Sequence, residues 1–86
     1  MTNKIEITLA KLGIKLPDAP APAANYVPFV HVGDLVYVSG QVSQDSKGFI
    51  VGKLGETMST EEGAAAARTC AMALLAQVKA ACNGDL

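Results

Sequence analysis

Apolar residues recur along this chain first with a helical period, then with a strand period, then with a helical period again. In "TNKIEITLAKLG" the residues Ile5, Leu9 and Leu12 stand at i, i+4 and i+7, which is one face of a helix. Thr2 is placed to cap that helix and Gly13 to end it, although Ile5 and Ile7 would also fit a strand. Pro17, Pro20 and Pro22 follow. Each proline fixes its own φ and disfavours helix in the residue before it, so this stretch reads as an extended, polyproline-like connector.

From Tyr26 the pattern turns β-like. "YVPFVHV" and "LVYVSGQV" flank Gly33-Asp34, the signature of a hairpin closed by a two-residue II′ or I′ turn. Pro28 has no N–H for a ladder, which puts its strand at an edge or interrupts it. "QDSKG" reads as a further turn, "FIV" as a short third strand and "GKLGETM" as a loop.

Ser59 with Glu62 forms a capping-box pattern, and two acids in the first turn suit the helix dipole. The helix they open runs to Asn83-Gly84, a C-terminal stop signal. Ala67, Ala71, Leu74, Val78 and Ala81 make one stripe along it, and small residues near its start allow close approach to a sheet. The order is helix, hairpin, short strand, long helix. A helix after a hairpin ordinarily crosses over into another strand of the same sheet. We therefore expect residues 1–86 to be one α+β domain that lacks its C-terminal strands and second helix, with the sheet side of Val27, Phe29, Leu35 and Tyr37 poorly covered.

Composition narrows the chemistry. Half of the 86 residues are hydrophobic, but many are alanine, so the apolar volume is modest for a chain already short of core. One histidine and two cysteines form no metal-ligand pattern. Cys70 and Cys82 lie twelve positions apart on one expected helix, about 18 Å of rise, and cannot bridge each other. They read as reduced thiols. A net charge of −1 without a basic block weighs against a grip on nucleic acid. There is no apolar run of membrane-spanning length and no signal-peptide core, so the expectation is a cytoplasmic protein without a membrane segment.

"ANYVPFVHVGDLVYVSGQV" resembles the N-terminal half of the RidA/YjgF family, also called the L-PSP endoribonuclease family. Tyr26, Gly33 and Ser39-Gly40-Gln41 stand at that family's spacing, and "AAARTCAMALLAQVKAA" is similar to its first long helix. The leader "LAKLGIKLPDAPAPAANYVPFV" resembles one branch that carries an extra N-terminal segment. The resemblance implies a chorismate-mutase-like α+β fold and a homotrimer with small-molecule clefts between subunits. It also implies hydrolysis of enamines and imines such as 2-aminoacrylate to 2-keto acids and ammonia, with no metal or organic cofactor. The arginine that pairs with the substrate carboxylate, and the glutamate that positions water, would fall after Leu86. No catalytic residue is therefore assigned here. Two departures bear on substrate choice: Pro28 replaces a common glutamine, and the loop between Gln41 and the long helix is longer.

Within this chain the candidate substrate-binding residues are Tyr26, Ser39, Gly40 and Gln41. Gly40 has no Cβ, so a small carboxylate ligand can reach its backbone N–H; a simple bulge is the plainer reading. Ser39 either adds a hydroxyl to that site or satisfies local backbone. Tyr26 either lines the cleft or anchors its strand. His31, next to the hairpin turn, reads as a surface residue, and Arg68 as a structural cation. The alternatives to a deaminase are a non-catalytic small-molecule-binding trimer, an endoribonuclease that inhibits translation, and a small adaptor.

Overall fold

The computed structural model describes residues 4–22 and 24–86. The expected Thr2 cap lies outside the described residues. The elements are α1 (Lys4–Lys11), β1 (Phe29–Val32), β2 (Leu35–Val38), β3 (Gln44–Asp45), β4 (Gly48–Phe49) and α2 (Thr60–Ala81).

The local signals act where they stand. Gly13 ends α1: its N–H donates to Ala10 C=O at 3.1 Å, and the Ile14 N–H donates to Leu9 C=O at 2.9 Å. That bond pair is a Schellman motif. The described residues from there to β1 form neither helix nor strand, as the three prolines dictate. Only Leu9 of the expected α1 stripe is even partly covered, while Ile5 and Leu12 stay largely exposed. Instead α1 meets the body through Glu6, whose carboxylate lies 3.2 Å from Lys79 Nζ on α2.

β1 and β2 pair antiparallel, with Phe29 opposite Val38 and Val32 opposite Leu35. The loop is therefore Gly33-Asp34. Of those two residues Gly33 alone has positive φ, at 58°, the pattern of a II′ turn. Pro28 precedes the strand, and its carbonyl still accepts the Ser39 N–H at 2.9 Å. A second hairpin pairs Gln44 with Phe49 and Asp45 with Gly48. The expected turn is thus tighter than "QDSKG", because Gln44 and Asp45 are themselves paired. The Lys47 N–H donates to Asp45 Oδ1 at 2.8 Å across it. Ile50 and Val51 fall outside the strand.

Directly opposed residues share a face of an antiparallel pair. Phe29 and Val38 therefore face one way, and Val30 and Tyr37 the other. α2 packs across β1, β2 and β3, and the half-buried Phe29, Val36 and Val38 lie on one face. The expectation for Phe29 is corrected: the open side carries Val30, Val32, Leu35 and Tyr37, the last 61% exposed.

The stripe read along α2 is also corrected. Its buried positions are Ala73, Ala76, Gln77 and Ala81. Ala67, Ala71 and Leu74 are exposed, and Val78 is half-buried. The packed face is rotated by roughly one residue, about 100° of helix. Small side chains bring the helix axis closest to the sheet, so the alanine face packs while Leu74 and Leu75 remain 39% and 37% exposed. No helix among the described residues is long and apolar enough to cross a membrane.

Candidate functional site

The hairpin delivers its last strand into Ser39-Gly40-Gln41. Ser39 extends the pairing: beyond its backbone bond to Pro28, its Oγ–H donates to Val27 C=O at 2.6 Å. That hydroxyl serves the strand junction, and Ser39 does not line the cleft beside it.

Gly40 and Gln41 do line it, as does Tyr26, around a volume of about 220 Å³. The Tyr26 O–H donates to Gly40 C=O in a long 3.4 Å bond. The proline connector closes the opposite side through Pro20, Ala21 and Pro22, and Phe49 of β4 reaches the rim. Three of the four candidates therefore meet at one cleft, and the fourth braces the backbone leading into it.

Among the described residues the Gly40 N–H has no acceptor. A Cβ built on Gly40 would meet nothing within 4 Å, and its φ is not positive. Nothing in the fold of this chain therefore requires glycine there. What glycine leaves open is an unpaired amide donor, suited to an anionic oxygen. No lysine or arginine lines the cleft, so a carboxylate seated there would take its cationic partner from elsewhere. Arg68 is exposed on α2 and His31 is exposed on β1; neither lines this cleft. No group of metal-binding side chains occurs among the described residues.

Gln41 is oriented from two sides. Its Nε2–H donates to Ser39 C=O at 3.0 Å, and its Oε1 faces Gln77 Nε2 at 3.5 Å. Gln77 is 1% exposed and also donates to Pro20 C=O at 2.8 Å. Sequence reasoning missed Gln77. The available signal was a lone carboxamide at helical spacing from Gly63, Ala66, Cys70 and Ala73, all small residues.

With this geometry in place, the relatives are informative. Residues 16–84 match the family described as Endoribonuclease L-PSP. The chain belongs to that family. It is 45% identical over 86 residues to "Protein TCP17" of Trypanosoma cruzi, covering 99% of this chain and 53% of that protein. A crystal structure of the protein Atu1372, of unknown function, from Agrobacterium tumefaciens superposes with a TM-score of 0.76 at 47% identity. That match covers 95% of this chain and 50% of the other. The chain thus spans about half the length of these two relatives, and it shares its mixed α+β fold with the matching part of the Agrobacterium tumefaciens structure.

Proposed function

We propose that this L-PSP family chain contributes the carboxylate-binding half of a hydrolytic enamine/imine deaminase. The observation that carries the reading is the unpaired N–H of Gly40, a residue that lines a cleft of about 220 Å³ sized for a small 2-imino acid. In the reaction, protonation at carbon converts an enamine such as 2-aminoacrylate to the iminium, the conjugate acid of its imine tautomer. Water then adds to the imine carbon, the C–N bond breaks, and ammonia leaves a 2-keto acid. A positioned proton donor and a held water suffice for this chemistry. The Gly40 amide takes one carboxylate oxygen, while Tyr26 and Gln41 shape the pocket. The arginine and the water-holding glutamate belong to the remainder of the domain, and the assembly is a homotrimer with clefts at subunit boundaries.

The test is 2-keto acid release from 2-aminoacrylate generated in situ, using the full-length protein. Acceleration over the spontaneous rate, lost in Gly40→Val, is the expected result. Pyruvate binding without acceleration would leave a ligand-binding trimer instead. RNA cleavage without pyruvate binding would favour the activity in the family's description.

A further inference from the structure

We infer that Gln77 is a positioning residue that ties the N-terminal leader and the Gly40 amide into one ligand-binding unit. The inference rests on the reading of Gly40 as a carboxylate donor. A neutral carboxamide has two N–H donors, and those of Gln77 go to Pro20 C=O at 2.8 Å and to Gln41 Oε1 at 3.5 Å. The first bond holds the connector whose Pro20, Ala21 and Pro22 form one wall of the cleft. The second sets which way the Gln41 carboxamide faces, so that its own Nε2–H meets Ser39 C=O at 3.0 Å.

That carbonyl belongs to the same peptide unit as the Gly40 N–H. No cis peptide bond occurs among the described residues, and in a trans peptide C=O and N–H point in opposite directions. Fixing Ser39 C=O therefore fixes the direction of the Gly40 donor. Each bond in the chain also polarises the next, which sharpens the amide as a donor. Burial makes the arrangement rigid, because a misplaced carboxamide at Gln77 would leave polar groups unpaired away from water.

Wall and donor thus share one buried side chain, and the site discriminates by size through it. A ligand must reach Gly40 while fitting under the connector. Gln77→Met keeps the volume and removes both donors. In the full-length protein it is expected to raise the Kd for pyruvate about tenfold. The Kd for a bulkier 2-keto acid, 4-methyl-2-oxopentanoate, should change less than twofold, so discrimination collapses. In the ligand-free variant the Gly40 amide proton should shift in the NMR spectrum and the Gln41 side-chain NH2 signals should move with it.

Equal losses for both keto acids with an unmoved Gly40 amide would overturn the inference. If the variant fails to fold, the wild type carries the test. Pyruvate titration should then perturb the Gly40 amide and the Gln77 side-chain NH2 together, and a silent Gln77 refutes the link. A wild type that binds no 2-keto acid defeats the carboxylate reading alone. The Gly40 shift in ligand-free Gln77→Met still decides whether the relay exists.

Discussion

Gly33 and Gly40 stand seven residues apart in the same hairpin segment and answer to different demands. Gly33 holds φ at +58° with open space around its missing Cβ, so its constraint is torsional. A branched residue there is strained whatever room it has, and Gly33→Val should cost about 1–3 kcal/mol in urea unfolding of the full-length protein. Gly40 carries neither constraint. Gly40→Val should leave stability within about 0.5 kcal/mol yet abolish 2-keto acid binding by calorimetry, because the added methyls cover the amide. Ser39 sorts the other way. Its 2.6 Å bond to Val27 C=O makes Ser39→Ala a stability variant, costing about 0.5–1.5 kcal/mol with little effect on ligand affinity once folded.

At the scale of the element, α2 shows how much a cap determines. Ser59 Oγ accepts the Glu62 N–H at 3.1 Å, and the Ser59 N–H donates to Glu62 Oε1 at 3.0 Å. Ser59→Ala should lower stability by about 1 kcal/mol. The Ser59 backbone N–H, with a smaller contribution from its side chain, holds the Glu62 pKa below the ordinary glutamate value. A carboxyl whose pKa is lower in the folded state stabilises above its unfolded value and loses that contribution as pH falls through its folded one. Glu62→Gln should therefore flatten the acid side of the melting-temperature profile, and an unchanged slope would remove Glu62 from the acid response. At the other end the Asn83 N–H donates to Ala80 C=O at 3.2 Å and the Gly84 N–H to Lys79 C=O at 2.8 Å, closing the helix where the Asn-Gly signal stands. These features were legible because a cap or a turn is a matter of a few consecutive residues. The buried face of α2 was not. Periodicity gives an apolar helix several admissible stripes, and which one packs depends on how closely the sheet lets the axis approach.

The whole chain is flat and thinly buried. Its radius of gyration is 14.4 Å, against about 12 Å for a compact domain of this length. The buried apolar residues among those described are three alanines, Ala73, Ala76 and Ala81. On the outer side of the first sheet, Val30, Val32, Leu35 and Tyr37 present an exposed apolar face, and grouped apolar exposure of this kind marks interaction surfaces. Under the proposed trimer this face is covered in the full-length assembly. Val32→Lys and Tyr37→Glu together should shift the mass measured by light scattering from trimer toward monomer; an unchanged trimer would assign the face another role. The Glu6–Lys79 pair, with both partners partly exposed, should matter far less. Lys79→Ala is expected to cost no more than about 1 kcal/mol.

By itself the sequence determined what neighbouring residues settle among themselves: the two-residue turn at Gly33-Asp34, the stops at Gly13 and Asn83-Gly84, the Ser59 capping box and the irregular proline connector. Its resemblance to the family also picked out the Ser39-Gly40-Gln41 segment, because spacing within one hairpin is itself local. Tertiary structure decided what depends on residues far apart in the chain. It seated the alanine face of α2 on the sheet and turned Leu74 outward. It laid Pro20, Ala21 and Pro22 against the end of β2 to wall the cleft. It also buried Gln77 where one carboxamide, 57 residues from Pro20 and 36 from Gln41, reaches both. No pattern of period or propensity marks such a residue, since its role exists only once the helix, the connector and the hairpin exit have been brought together.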